Sequence, residues 1–156
     1  MKKKNTYDIF ISYRRKGGEF LAHSLYEKLC SDHYSVFLDT ESLRSGKFNE
    51  QLLQVIDQCS DVIVLLSPHS LDRSLKNADD WVRREIAYAL QKNKNIIPVF
   101  LKDFELPDEL PYEISELKNH HGLNVRSDYL DAFFEKLILS LHSKPTKKKF
   151  IRKSIF

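Results

Sequence analysis

The residue best suited to chemistry in this sequence is a glutamate without a cationic neighbour on its own helix. Residues 79–90 are predicted to form a helix whose apolar positions recur every three to four residues. Glu85 lies beside that apolar face, one turn after Trp81, and no lysine or arginine stands three or four positions from it. A carboxylate beside an aromatic ring can be partly desolvated, which alters its reactivity. The helix pattern alone favours the alternative of a boundary glutamate with its carboxylate in water.

One carboxylate combined with aromatic and basic side chains suits cleavage of the bond between nicotinamide and ribose in NAD+. The leaving group is already cationic, so the oxocarbenium-like ribose is what needs stabilising. A carboxylate near the sugar can accept hydrogen bonds from the ribose hydroxyls and balance the developing charge. Aromatic rings can stack on the bases and arginines can hold the pyrophosphate. The residues that could supply these groups are Glu85, Trp81, Phe48, Arg14 and Arg15.

Other catalytic and cofactor-binding patterns are missing from the sequence. No Gly-x-Gly-x-x-Gly or Walker sequence follows a predicted strand, which argues against a Rossmann-type bound dinucleotide. The six histidines show no metal-ligand spacing, Cys30 and Cys59 match no metal or redox motif, and Ser67 has no evident His/Asp partners. We therefore expect no metal and no cofactor, with NAD+ entering only as the substrate.

Predicted strands and helices alternate along the chain. Residues 61–66 form a continuous apolar run, which is typical of a parallel strand buried on both faces. The alternation predicts an α/β, flavodoxin-like three-layer fold, with a five-stranded parallel sheet and helices on both faces. The strands are predicted at 7–13, 35–39, 61–66, 95–101 and 122–125, and the helices at 19–31, 48–58, 79–90 and 128–141.

We expect the site at the carboxyl ends of the strands. Right-handed crossovers place these ends along one edge of the sheet, where ligands bind in folds of this kind. Gly17 and Gly18, in the first loop at that edge, could donate backbone hydrogen bonds to phosphate; a plain strand-to-helix turn is the alternative. The side chains expected to converge at the edge are those of Tyr13, Arg14, Arg15, Phe48, Trp81 and Glu85.

Composition and charge indicate a single domain with basic ends. The 156 residues are 42% hydrophobic and 30% charged, which is ordinary for a soluble domain. Residues 144–156 hold six cations and no acid, so the rest of the chain has 19 Lys and Arg against 22 Asp and Glu. That acidic body argues against nucleic-acid binding by the core. We divide the chain into a basic extension (1–5), a domain (6–142) and a basic tail (143–156).

The tail and the chain's location follow from the same composition. Basic residues are interleaved with apolar ones in the tail, so it could contact anionic lipid or nucleic acid; a solvated terminus or a linker to an adjoining domain is the alternative. The N-terminus has no apolar segment long enough for a signal peptide. With no disulfide or metal pattern in its two cysteines, we predict a cytoplasmic protein.

Several motifs, in order along the chain, resemble those of the TIR domain family. Residues 7–15 (YDIFISYRR) resemble its first box, and residues 37–48 (FLDTESLRSGKF) resemble its second strand and the BB loop that follows. Residues 65–68 (LLSP) and 95–99 (NIIPV) are similar to its third-strand exit and fourth strand. Residues 80–86 (DWVRREI) resemble the tryptophan–glutamate helix of TIR domains that cleave NAD+, a branch that includes the animal axon-degeneration NAD hydrolase.

The resemblance assigns roles to individual residues. Glu85 matches the catalytic glutamate of the NAD-cleaving branch. The substrate-binding positions are Trp81, Phe48, Tyr13, Arg14, Arg15 and Asp39. The assembly loop consists of Leu43, Arg44, Ser45, Gly46 and Lys47.

The resemblance implies an NAD+ glycohydrolase that releases nicotinamide and forms ADP-ribose or a cyclic isomer, with NADP+ as a second candidate substrate. It also implies self-association through TIR–TIR contacts and a role in signalling or defence. The alternative is a non-catalytic TIR adaptor that acts as a scaffold through the same contacts. Adaptors generally lack the tryptophan–glutamate pair, so the presence of Trp81 and Glu85 favours the enzyme.

Overall fold

A parallel sheet forms the centre of the protein. The computed structural model describes residues 6–39 and 48–146, the side chains of Phe48 and Asn49 excepted. The strands are β1 (Ile9–Ser12), β2 (Val36–Leu38), β3 (Asp61–Leu66), β4 (Asn95–Phe100) and β5 (Leu123–Asn124). They lie in the order β2-β1-β3-β4-β5, and all their pairings are parallel. The predicted α/β class and five-stranded parallel sheet are confirmed.

Helices cover both faces of this sheet, as predicted. Ile9 and Ile11 of β1 belong to the apolar cluster that includes the inner residues of the first and last helices. Phe10, between them, belongs to the cluster on the opposite face. Because successive side chains of a strand point to opposite faces, β1 contributes to both core layers. The helices are α1 (Arg15–Ser31), α2 (Phe48–Gln58), α3 (Asp72–Lys76), α4 (Trp81–Gln91) and α5 (Leu130–Ser140), with 3₁₀ helices at Tyr112–Asn119 and Ser127–Tyr129.

The start of α1 is irregular. Lys16 and Gly17 have non-helical backbone angles, and Gly17 has φ +86°. A Cβ on Gly17 would lie 3.0 Å from both Cβ and Oγ of Ser67, at the end of β3. The amide of Gly18 donates a 3.2 Å hydrogen bond to the Arg14 carbonyl. These contacts form a tight strand-to-helix turn, and the phosphate contact at Gly17 and Gly18 stays a prediction.

The chain after α5 is held at the amino edge of the sheet. Asp61, fully buried at the start of β3, accepts hydrogen bonds from the Asn95 side chain at 2.7 Å and from the His142 and Ser143 amides at 2.9 Å. The Thr146 amide donates to the His33 carbonyl at 2.8 Å. Residues 143–146, predicted as the first part of the tail, are therefore attached to the folded body.

Candidate active site

Glu85 is completely buried at the carboxyl end of β1. Its exposure is 0%, and its Oε1 accepts a 2.6 Å hydrogen bond from the hydroxyl of Ser12, the last residue of β1. Burying a carboxylate is costly unless hydrogen bonds compensate it, so the Ser12 hydroxyl helps to hold the group in place. The alternative of a solvated boundary glutamate, which the helix pattern favoured, is wrong.

The topology explains why these two side chains meet. Ser12 is two residues after Phe10 and so shares its face of the sheet, the face on which α4 packs. Glu85 lies on the inner side of α4, whose buried residues also include Val82, Ile86 and Ala89. In a sheet of this order the crevice is expected where β1 and β3 run side by side, because connections leave that point in opposite directions. The contact lies at the carboxyl end of β1, at this crevice.

Asp80 fixes the first turn of α4. As the N-cap, its Oδ2 accepts a 3.0 Å hydrogen bond from the Arg83 amide. The same oxygen accepts from the Ser74 hydroxyl at 2.8 Å and from Arg14 Nη2 at 2.7 Å. Burial by itself would raise the pKa of Asp80, but the hydrogen bonds from Arg14, Ser74 and the Arg83 amide, with the Arg14 charge, lower that pKa below its usual range.

Arg14 is a buried residue that connects three segments. It is 8% exposed and donates from Nε to the Ser70 carbonyl at 2.7 Å. Its Nη2 lies 3.3 Å from the Ser74 hydroxyl and 2.7 Å from Asp80. The exit of β1, α3 and the start of α4 are therefore joined through one guanidinium. This guanidinium was predicted to hold the pyrophosphate of the substrate.

An open cleft of about 720 Å³ lies beside this network, within the usual range for small-molecule sites. Trp81 forms part of the wall, and the guanidinium carbon of Arg84 lies 4.5 Å from the centroid of its ring. Basic side chains outnumber acidic ones among the lining residues, which suits an anionic ligand. The lining residues are Arg14, Arg15, Lys16, Glu19, Arg73, Asn77, Asp79, Asp80 and Trp81.

The remaining predicted site residues have different surroundings. Tyr13 is buried in the core cluster on the α1 side of the sheet. Arg15 is exposed and lies 3.8 Å from Glu19 on the first turns of α1. Asp39 is buried directly after β2. Phe48 begins α2, but its side chain lies outside the described residues, as do the predicted loop positions 43–47.

Three further observations concern metal binding, membrane spanning and thiol reactivity. Among residues 6–39 and 48–146 no group of histidine, cysteine, aspartate and glutamate is arranged to hold a metal ion. Within the same residues no helix is long and apolar enough to cross a membrane. Cys59 is a buried free thiol whose pKa burial raises to about 12, so it remains protonated near neutral pH.

Sequence reasoning missed Ser12, Ser74 and the role of Asp80. Period-two alternation along β1 places Ser12 on the same face as Phe10, so its direction was readable from the sequence. Asp80 directly precedes the predicted apolar helix face, which is an N-cap signal. No local pattern indicates that Ser74 joins Asp80, because α3 is a short polar helix without an apolar period.

Comparison with known proteins gives consistent matches. A family model described as TIR domain matches residues 9–138. The chain is 40% identical over 136 residues to NAD(+) hydrolase sarm1 of Drosophila melanogaster, covering 85% of this chain and 10% of the fly protein. It is also 40% identical over 136 residues to NAD(+) hydrolase tir-1 of Caenorhabditis elegans, covering 84% of this chain and 14% of the worm protein. The chain thus spans a small part of the length of these relatives.

A solved structure shows the same fold. The crystal structure of the TIR domain of the Toll-related receptor TRR-2 from Hydra magnipapillata matches with a TM-score of 0.63 and 21% sequence identity. The match covers 88% of this chain and 100% of that domain. At this identity the likeness concerns the fold alone.

Proposed function

Because this chain belongs to the TIR domain family, we propose that it cleaves NAD+ between nicotinamide and ribose, with Glu85 as the catalytic residue. The main support is the buried Glu85 carboxylate, which Ser12 contacts at the carboxyl end of the sheet. Trp81, one helical turn earlier, lines the adjacent cleft. The fly and worm relatives, at 40% identity, are named NAD(+) hydrolases.

The proposed role of Glu85 is to stabilise the ribosyl cation. Nicotinamide leaves as a neutral molecule, with the electrons of the broken bond neutralising its ring, and positive charge develops on the ribose. A carboxylate held in a site with little water interacts strongly with that charge and can accept hydrogen bonds from the ribose hydroxyls. Water, or a nitrogen of the adenine, then captures the cation to give ADP-ribose or a cyclic isomer.

The burial of Glu85 sets a condition on this reaction. Since the side chain is 0% exposed, its surroundings must open for the carboxylate to reach the ribose. We propose that binding of the substrate stabilises this open state. Before the substrate binds, the closed state would exclude water from the carboxylate.

The cleft suits the rest of the dinucleotide. Arg15, Lys16 and Arg73 line it and are suited to the pyrophosphate. The Trp81 ring, which lines the cleft, could stack on a base. NADP+ is a second candidate substrate, because the additional phosphate would meet the same basic wall. NAD+ acts as the substrate in this scheme, and we propose that no further cofactor is needed.

The test is nicotinamide release by concentrated protein incubated with NAD+, followed by chromatography of the products. We expect Glu85→Gln and Glu85→Ala to lower the rate by at least roughly 1,000-fold, because the charge that stabilises the cation is lost. Glu135→Gln is the matched control. It makes the same substitution at an exposed glutamate of α5, on the other face of the sheet, and should retain the parent rate.

Retention of activity by Glu85→Gln would show that the carboxylate does not stabilise the ribosyl cation. A parent protein that releases no nicotinamide at any concentration would instead favour a non-catalytic adaptor. The circular dichroism spectrum of each variant must match that of the parent for either conclusion.

We propose also that activity depends on self-association. The assembly loop predicted at positions 43–47 lies outside the described residues, but exposed apolar side chains elsewhere are consistent with contacts between copies. Phe20 on α1 is 83% exposed and Leu139 on α5 is 85% exposed. A specific activity that rises with protein concentration would support assembly dependence, whereas a constant specific activity would contradict it.

Consumption of NAD+ suggests a role in signalling, immunity or cell death, and we propose a cytoplasmic location. Cys30 and Cys59 are free thiols, which is compatible with a reducing compartment. Cellular NAD+ measured after expression of the parent and of Glu85→Gln tests this role, since only the parent should lower it.

A further inference from the structure

A buried ion pair joins the exit of β1 to the start of α4. Nη2 of Arg14 lies 2.7 Å from Oδ2 of Asp80, and the two side chains are 9% and 4% exposed. The Arg14 Nε–H donates a hydrogen bond to the Ser70 carbonyl, and Nη2 also contacts the Ser74 hydroxyl. Removing one partner of such a pair leaves a buried charge uncompensated, so the pair resists separation.

We propose that Arg14 is a positioning residue, which acts on the catalytic Glu85 through Asp80 and does not bind the pyrophosphate; this rests on the proposed function. Asp80 is the N-cap of α4 and directly precedes Trp81. Fixing Asp80 fixes the first turn of the helix that carries both Trp81 and Glu85.

The spacing of the contacts shows how the helix is held. Ser12 contacts Glu85, and Arg14 contacts Asp80. Two residues of extended chain span about 6.6 Å, and Arg14 keeps an extended backbone. Five residues of helix span about 7.5 Å. The exit of β1 therefore holds α4 at two points whose separations along the strand and along the helix are similar, and loss of the Arg14 contact removes the one at the start of the helix.

The other cations of the cleft differ from Arg14. Arg15 and Arg73 line the same cleft but are exposed, so a phosphate group can reach them without breaking a buried ion pair. A ligand that recruited Nε or Nη2 of Arg14 would have to compete with the Ser70 carbonyl or with Asp80, each at 2.7 Å. The structure thus separates cations available to the substrate from one committed to the scaffold.

A double-mutant cycle on the chain 1–156 tests this assignment. The variants are Arg14→Gln, Asp80→Asn and the double mutant, with kcat and KM for NAD+ taken from nicotinamide release. Asparagine at position 80 can still cap α4, so this substitution removes mainly the ion pair. We expect each single variant to lower kcat about 10- to 100-fold, as for a misplacement of about 1 Å, with KM close to that of the parent. The kcat of the double mutant should be no lower than that of the less active single mutant, because the two substitutions remove the same interaction.

Glu113→Gln is the matched control. It breaks another ion pair of α4, in which Arg83 Nη2 lies 2.7 Å from Glu113, but this pair leads to the 3₁₀ helix and not to β1. Its kcat should equal that of the parent. A kcat that falls as far as in Asp80→Asn would mean that any weakening of α4 suffices, and would overturn the specific role of Arg14.

Trp81 provides a readout that does not depend on activity. It is the only tryptophan of the 156 residues and follows Asp80 directly, so its fluorescence reports on the first turn of α4. We expect Arg14→Gln and Asp80→Asn to shift its emission maximum by similar amounts, and Glu113→Gln to leave it unchanged. If the parent releases no nicotinamide and both emission shifts occur, the proposed function fails and the structural link between Arg14 and α4 stands.

Two results would overturn the positioning role. One is a raised KM with unchanged kcat in Arg14→Gln, additive with Asp80→Asn, which is the behaviour of a substrate ligand. The other is an unshifted Trp81 emission in both single variants. If Arg14→Gln does not fold, Arg14→Lys replaces it. Lysine keeps the charge but lacks the planar fork, so the kcat of Arg14→Lys should lie between those of the parent and Asp80→Asn. A kcat and an emission maximum equal to those of the parent would contradict the positioning role of Arg14.

Discussion

Glu85 combines two properties that are uncommon together in a helical glutamate: complete burial and a short hydrogen bond from a serine. Most glutamates on helices keep their carboxylates in water, because desolvation of the charge is costly. The fold therefore keeps a carboxylate in a position where its desolvation is unfavourable. Such an arrangement is typical of functional sites.

The Ser12 hydroxyl should matter for the reaction. Ser12→Ala removes the 2.6 Å hydrogen bond to Glu85. A hydrogen bond to a charged group is worth about 1.5–3 kcal/mol, so we expect kcat for nicotinamide release to fall roughly 10- to 100-fold. The carboxylate would lose a contact that holds it in place.

Ser67→Ala is the control for this substitution. Ser67 is a buried serine directly after β3, and its hydroxyl donates to the Lys16 carbonyl at 3.4 Å. We expect a small change in kcat. An increase of kcat in Ser12→Ala would contradict the prediction, because it would mean that the hydrogen bond only holds Glu85 away from the substrate.

At the scale of elements, the turn between β1 and α1 depends on one glycine. Gly17→Ala introduces a Cβ at φ +86° and 3.0 Å from Ser67. We expect the free energy of unfolding to fall by about 1–3 kcal/mol, from backbone strain and the close contact together. Urea unfolding at neutral pH measures the change.

The neighbouring glycine provides the comparison. At Gly18 an added Cβ would meet Tyr13 at 3.6 Å, an ordinary contact, and the backbone has no positive φ. Gly18→Ala should therefore leave the stability unchanged or raise it slightly, because alanine favours the helix. Equal destabilisation by the two substitutions would show that the positive φ is not the cause.

The elements also differ in how well local pattern predicts them. The helix 48–58 and the strand 61–66 were predicted with the bounds that the structure has, since each carries a clear apolar pattern. The five-residue helix α3 was missed. Its sequence, DRSLK, has one fully buried residue, Ser74, and a short polar helix has no apolar period to detect. Packing of Ser74 against Asp80 and Arg14 is a tertiary contact, which periodicity does not encode.

At the scale of the whole molecule, the Arg14–Asp80 pair links stability to pH. The pKa of Asp80 is lowered in the folded state, so the ionised carboxylate stabilises the fold above the unfolded pKa of about 3.9. That contribution is lost as the pH falls through the lower, folded-state pKa. We expect Asp80→Asn to be less stable than the parent by roughly 3 kcal/mol between pH 5 and 8.

The difference between parent and Asp80→Asn should shrink as the pH falls below about 4, because a protonated aspartate resembles asparagine in shape and charge. Chemical unfolding of both proteins from pH 3 to 7 measures it. Glu113→Gln is a useful comparison. The pKa of Glu113 is also lowered, through its hydrogen bond from Arg83, but the Glu113 side chain is about half exposed, so this pair should contribute less to stability than the Arg14–Asp80 pair. A pH-independent difference for Asp80→Asn would contradict the ionised pair.

The amino-acid sequence by itself determined the fold class and the candidate catalytic residue. Alternating strand and helix patterns are local, and they require a parallel sheet covered on both faces. The helix around Trp81 and Glu85, with its resemblance to TIR domains, was also readable along the chain. The tertiary structure alone decided that Glu85 is buried against Ser12, that Arg14 pairs with Asp80 and that Tyr13 faces the other core layer. The two polar contacts join residues 73 and 66 positions apart, and such contacts depend on the sheet order and the helix register, which no local period specifies.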